Sequence, residues 1–139
     1  MASASNPALL KVKVQVMVGD AIAIGPGKAD LLEAVATKGS IAAAGRCLGL
    51  SYRRTRDMID TLNACWRSPL VTTVKGGQHG GGTSLTPDGR LVLERYRVLQ
   101  RALKVTASEH GASLLELATD RADACRISRA PHRGDTDDY

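Results

Sequence analysis

The chain has 139 residues, enough for one domain with appendages. Hydrophobic residues make up 43% of it, yet it contains no Phe and one Trp, so its core must be built from Leu, Val, Ile and Ala. The net charge of +5 favours a polyanionic partner, and no apolar run is long enough for a signal peptide or a membrane span.

The first elements predicted along the chain are a leader, a hairpin and a helix. Residues 1–10 are rich in Ser, Ala and Asn, which predicts a flexible leader. Apolar and polar residues alternate from 11 to 18, which is typical of a strand, and a Gly-Asp turn leads to a return strand over residues 21–24. A helix is predicted from Lys28 to Thr37, with a stripe of leucines and a valine.

Residues 39–63 have the form of a helix-turn-helix. Ser40 is placed to cap a helix over residues 41–47, in which a run of alanines allows a second helix to approach closely. Gly49 supplies the left-handed backbone of the turn, and Ser51 caps the second helix.

The second of these helices has a predicted buried face and a predicted solvent face. The apolar face comprises Tyr52, Met58, Ile59, Leu62, Cys65 and Trp66. Its first turns carry Arg53, Arg54 and Arg56, the part of such a motif that meets base edges in the major groove. The alternative is that these arginines only solvate an ordinary surface helix. The agreement of small residues, turn glycine, capping serine and clustered charge favours the DNA-reading interpretation.

A glycine-rich loop follows, between two short strand-like segments that start near Leu70 and end at Leu85. A phosphate-binding nucleotide loop would need a lysine after its last glycine, and Thr83 stands there instead. The pattern therefore predicts a wing against the DNA backbone, with Lys75, Gln78 and His79 near phosphate. A plain hairpin loop is the alternative.

A long helix is predicted from Asp88 to Ala107, capped by Thr86. Its apolar residues cover more of the circumference than one packing face uses, which predicts dimerisation through it: Leu91, Leu93, Val98, Leu99 and Leu103. The segment 108–125 is predicted to hold a separate C-terminal helix, and residues 126–139 a disordered tail. In the alternative arrangement the later helix folds back and covers the long helix within one chain.

Catalytic and metal chemistry find little support in the sequence. His79, His110 and His132 have no partner at triad or metal-ligand spacing. The cysteines at 47, 65 and 125 are widely spaced, which predicts reduced and mostly buried thiols in a cytoplasmic protein. We therefore expect no enzymatic activity, cofactor or metal.

These motifs together resemble a known family. The run GKADLLEAVATKGSIAAAGRCLGLSYRRTRDMIDTLN, followed by PLVTT, GGQHGGG and LTPDGRLVLERYRVL, is similar to the DNA-binding domain of ModE-type molybdate-responsive regulators, which is itself similar to that of LysR-type regulators. The resemblance covers residues 27–99. It implies a winged helix-turn-helix that dimerises through its long helix and binds a palindromic operator.

Two departures limit what the resemblance implies. The family's wing usually reads GGKGGGG, so Gln78 and His79 replace a lysine and a glycine. The family's molybdate-binding domains have no counterpart in these residues, so no small-molecule effector domain is expected.

The sequence thus predicts a mainly α fold with small β elements: a winged helix-turn-helix with an N-terminal β-hairpin and a long dimerisation helix over residues 11–107. The predicted function is a homodimeric regulator that binds double-stranded DNA through Ser40, Ser51, Tyr52, the three arginines and the wing. The alternative is a winged-helix protein-interaction module, or a DNA-binding subunit whose effector sensor is another protein.

Overall fold

The computed structural model describes residues 8–74 and 82–118. They form a mainly helical fold with two small antiparallel sheets. Its elements in chain order are β1 (Val16–Val18), β2 (Ala21–Ile24), α1 (Pro26–Lys38), α2 (Ile41–Cys47), α3 (Tyr52–Ala64), β3 (Val71–Val74), β4 (Gly82–Leu85) and α4 (Pro87–Glu116).

The N-terminal hairpin is present but shorter than predicted. Strand β1 begins at Val16, not at Lys11, because its partner β2 has only four residues and pairs from Val16 opposite Ile24 to Val18 opposite Ala21. The chain before β1 runs beside α4 instead. There the Tyr96 hydroxyl donates to the Val14 carbonyl over 2.8 Å.

The core lies where α1, α2 and α3 meet the hairpins and the start of α4. The predicted stripe on α1 is buried, and α1 begins at Pro26, two residues earlier than expected, because proline is favoured in the first helical turn. The largest fully buried side chains are Ile24, Leu31, Leu32, Leu62, Leu70, Val35 and Thr55.

Helix α4 is one continuous helix, which corrects the predicted break between residues 107 and 113. It runs for 30 residues, so at about 1.5 Å per residue it is roughly 45 Å long. Gly111 lies within the helix and is buried beneath Leu10. The missing side chain there makes room for the N-terminal segment. The predicted helix beyond residue 118 and the predicted tail lie outside the described residues.

Arg97 joins the middle of α4 to α1. Its guanidinium donates to Glu33 over 2.8 Å and to Asp30 over 2.7 Å. Burial lowers the pKa of Arg97, but the hydrogen bonds to Glu33 and Asp30 outweigh that effect and raise it. The group therefore stays charged, and this bridge fixes α4 relative to the helix that precedes α2.

Candidate nucleic-acid interface

Helices α2 and α3 are joined by the predicted tight turn. The Ser40 hydroxyl oxygen accepts from the Ala43 N–H over 3.0 Å, and that of Ser51 accepts from the Arg54 N–H over 3.1 Å. Gly49 has φ of +70°, the left-handed conformation that glycine adopts without strain. The predicted caps and turn are confirmed, and they set where α3 begins.

Helix α2 packs tightly against α3 at Gly45, a residue that was not predicted for this role. The alanines of α2 were predicted to allow the close approach of α3. In the structure a Cβ atom at Gly45 would collide with the Thr55 hydroxyl, so the glycine is what allows it. Thr55 is fully buried and donates to the Ser51 carbonyl over 2.7 Å, so it cannot turn away cheaply. A glycine inside a short alanine-rich helix was the available signal.

The buried face of α3 is partly as predicted. Met58, Ile59 and Leu62 lie in the core. Tyr52, however, is 59% exposed, because it sits at the first position of α3 and projects beyond the core. Helix α3 ends at Ala64, so the Trp66 indole is not on its face but lies in the following segment, where it donates to the Ala23 carbonyl over 3.2 Å.

The exposed side of α3 carries a mixed stripe of charge formed by Arg53, Arg56, Asp57 and Asp60. Arg56 lies 3.7 Å from Asp60, a weak ion pair between exposed side chains. Within residues 8–74 and 82–118, neither Arg53 nor the Asp57 carboxylate has a hydrogen-bond or ion-pair partner. Arg54 is half-buried at the edge of the stripe. The stripe therefore presents one free guanidinium and one free carboxylate to solvent.

A second hairpin, β3–β4, lies beside this unit. Its register runs from Val71 opposite Leu85 to Val74 opposite Gly82. The Thr83 N–H donates to the Gly39 carbonyl over 2.8 Å, which attaches β4 to the corner between α1 and α2. The predicted contact residues Lys75, Gln78 and His79 lie between these strands and outside the described part of the chain.

Asn63 fastens the hairpin to the end of α3. Its side-chain oxygen accepts from the N–H groups of Leu70 and Val71, both over 3.0 Å, and its side-chain nitrogen donates to the Val71 carbonyl over 3.2 Å. The Asn63 amide therefore makes hydrogen bonds with the backbone at the start of β3 like those that a neighbouring strand would make. This role of Asn63 was not predicted, since a polar residue near the end of a helix carries no specific signal in the sequence.

The start of α4 is tied to the segment that follows α3. Thr86 caps the helix as predicted, accepting from the Gly89 N–H over 3.0 Å. Asp88 accepts from the Arg67 guanidinium over 2.9 and 3.0 Å and from the Ser68 hydroxyl over 2.6 Å. The hydrogen bonds from Arg67 have the larger effect and that from Ser68 the smaller, and together they hold the pKa of the Asp88 carboxyl well below its usual range. Gly89 packs against the Leu70 carbonyl, where no Cβ atom would fit.

The described cysteines differ from the prediction of mostly buried thiols. Cys47 was predicted to be buried but is exposed, because it is the last residue of α2 and lies past the contact with α3; Cys65 is half-buried. In the described ranges, no three His, Cys, Asp or Glu side chains are grouped so as to hold a metal ion. Likewise, no described helix is both long and apolar enough to cross a bilayer.

Comparison with known proteins finds partial relatives. The chain is 44% identical over 78 residues to the molybdenum transport protein ModE of Azotobacter vinelandii, which is 56% of this chain and 29% of that protein. It is 39% identical over 80 residues to the molybdenum-pterin-binding protein MopA of Rhodobacter capsulatus, 58% of this chain and 30% of that protein. No protein-family model matches the chain.

A third relative is named for its action on DNA. The DNA-binding transcriptional dual regulator ModE of Escherichia coli K12 is 31% identical over 96 residues, 66% of this chain and 37% of that protein. The chain thus matches about a third of the length of these relatives. The resemblance to ModE-type proteins is supported for this region, and some of the relatives are transcriptional regulators.

Proposed function

We propose that this chain is a sequence-specific DNA-binding transcriptional regulator, without enzymatic activity, that reads DNA through a winged helix-turn-helix. The observation that carries the proposal is the exposed start of α3. Arg53 stands there without a partner in the described residues, on the side opposite the buried Met58 and Leu62. An unpaired guanidinium on a firmly packed helix suits hydrogen bonding to the O6 and N7 atoms of guanine.

The remaining residues of the interface have supporting roles in this proposal. Arg54, at the edge of the stripe, and Arg56, within it, contact phosphates. The hydroxyl oxygens of Ser40 and Ser51 accept capping bonds, so their own protons remain available to phosphate oxygens. Exposed Tyr52 joins them at the helix start, and Lys75, Gln78 and His79 serve the wing.

The proposed regulator is a homodimer joined through α4. Leu91, Val98 and Val105 follow one another at seven-residue spacing, so they lie along one side of the helix, as in a coiled coil. Their exposed fractions are 37%, 51% and 57%. This side is turned away from Val92 and Tyr96, which pack on the core. The same side of α4 in a second copy of the chain would cover this surface. The dimer would then present two α3 helices to half-sites roughly 34–36 Å apart.

A DNA-binding assay with a salt series tests the proposal. Sequences selected from a random duplex pool should bind the purified chain with an affinity that falls steeply as salt rises. The variant Arg53→Ala should lose about 1–3 kcal/mol at one base position and relax specificity there. Lys104→Ala is the control, since it removes a positive charge from an exposed site on α4 outside the proposed dimer contact and should keep the specificity intact.

The outcomes separate the proposal from the protein-interaction alternative. An interaction module would select no DNA sequence and would show no salt-dependent binding. Uniform weakening in Arg53→Ala, with every base preference retained, would instead assign Arg53 to a phosphate.

A further inference from the structure

The exposed stripe of α3 contains a free carboxylate, that of Asp57, beside the free guanidinium of Arg53. With about 3.6 residues per turn, Asp57 lies one turn after Arg53 and about 40° around the helix from it. When Arg53 meets the DNA, Asp57 beside it would also lie among phosphates, where a negative charge is repelled. Such a carboxylate favours binding only if a hydrogen-bond donor on DNA meets it.

The other carboxylate of the stripe is already occupied. Asp60 pairs with Arg56 over 3.7 Å, whereas Asp57 has no side-chain partner within the described ranges. Although residues four apart on a helix are neighbours and Arg53 is basic, the two side chains form no ion pair. Asp57 and Arg53 are therefore both available to a ligand at the same time.

The major groove offers two donors of the required kind, the amino groups of cytosine N4 and adenine N6. We propose that Asp57 is a specificity-determining residue that accepts a hydrogen bond from a base amino group, that of cytosine, within about two base pairs of the guanine read by Arg53. The rise from Arg53 to Asp57 is about 6 Å along the helix, which matches two base-pair steps of about 3.4 Å. The inference rests on the proposed DNA-binding function.

The test compares base preferences of four proteins, selected from the same random duplex pool at one salt concentration: the wild type, Asp57→Ala, Asp57→Asn and Asp60→Asn. The wild type should prefer cytosine at one position by about 5- to 150-fold. Asp57→Ala should lose that preference and bind non-specific DNA more tightly, because a repelled charge has been removed. Asp57→Asn should shift the preference to adenine, whose N6 and N7 atoms suit an amide.

Asp60→Asn is the matched control, because it makes the same change of charge one turn later, at a carboxylate that has a partner. It should raise affinity for all sequences alike and leave the base preferences unchanged. Since Asp57 is exposed, thermal melts of its variants should coincide with those of the wild type.

The failures of the two proposals can be told apart. A wild type that selects no sequence overturns both the DNA-binding function and this inference. A wild type that selects a sequence, together with Asp57 variants whose profiles match it, overturns this inference alone. A wild-type preference for adenine that is lost in Asp57→Ala would replace cytosine by adenine as the base and overturn the assignment to cytosine.

Discussion

Apolar side chains are buried in the α1–α3 core but exposed on the solvent side of α4. In the core, Leu31, Leu32 and Leu62 are fully buried within one chain. On α4, Val98 and Val105 are more than half exposed, although the helix itself is held by Arg97 and Gly89. The core is therefore buried within a single chain, whereas the outer side of α4 exposes apolar side chains to solvent, the side that the proposed dimer would cover.

The largest expected effect tests the completeness of the core. Leu62→Ala should destabilise the fold by about 2–5 kcal/mol, because it removes buried atoms and leaves a cavity between rigid helices. Leu114→Ala, the same truncation at a 63% exposed position of α4 outside the proposed dimer contact, is the control and should change the stability by well under 1 kcal/mol. Denaturant unfolding measures both, and equal losses would contradict the difference between the two regions.

The next prediction addresses the uncovered side of α4. Val98→Asp should convert a dimer of twice 14.7 kDa into a monomer, because a charge would be buried in the proposed contact. Analytical ultracentrifugation at micromolar concentration measures the masses. Lys104→Asp, an exposed charge change on the same helix but about 100° or more around it from Val98 and Val105, should leave the dimer intact. A wild-type protein that sediments as a monomer would refute the dimer outright.

The smallest effect concerns the junction between the two regions. The pKa of Asp88 is lowered in the fold, so its bonds to Arg67 and Ser68 stabilise the protein above the unfolded value, near 4, and this stabilisation is lost as the pH falls through the folded value. Wild-type stability should therefore fall more steeply below about pH 4 than that of Asp88→Asn. Thermal melts of both proteins over a pH series measure this, and stabilities that fall in parallel would show that the bonds of Asp88 contribute nothing.

Features that depend on neighbouring residues were predicted from the sequence, whereas several that depend on long-range packing were missed. The caps at Ser40, Ser51 and Thr86 and the turn at Gly49 depend on neighbouring residues alone, and each was found where predicted. The continuation of α4 through Gly111 was not predicted, because that glycine packs against a leucine about a hundred positions earlier in the chain.

The candidate site shows the same division. The exposed position of Arg53 follows from helical periodicity. The amide of Asn63, the contact of Gly45 with Thr55 and the attachment of Thr83 to Gly39 depend on how separate elements meet. A periodic pattern contains no information about such contacts. The exposure of Tyr52 was missed for a related reason, since periodicity assigns a face but not how far the core extends along it.

The path of the N-terminal segment has a practical consequence for attaching labels and fusion partners. Leu10 contacts Gly111, whereas Asp88 and Gly89 meet the segment just after α3. At about 1.5 Å per residue, those two ends of the helix are roughly 33 Å apart. A fluorophore placed on Leu9, which is 75% exposed, would therefore report on the distal part of the helix, away from its junction with the segment that follows α3.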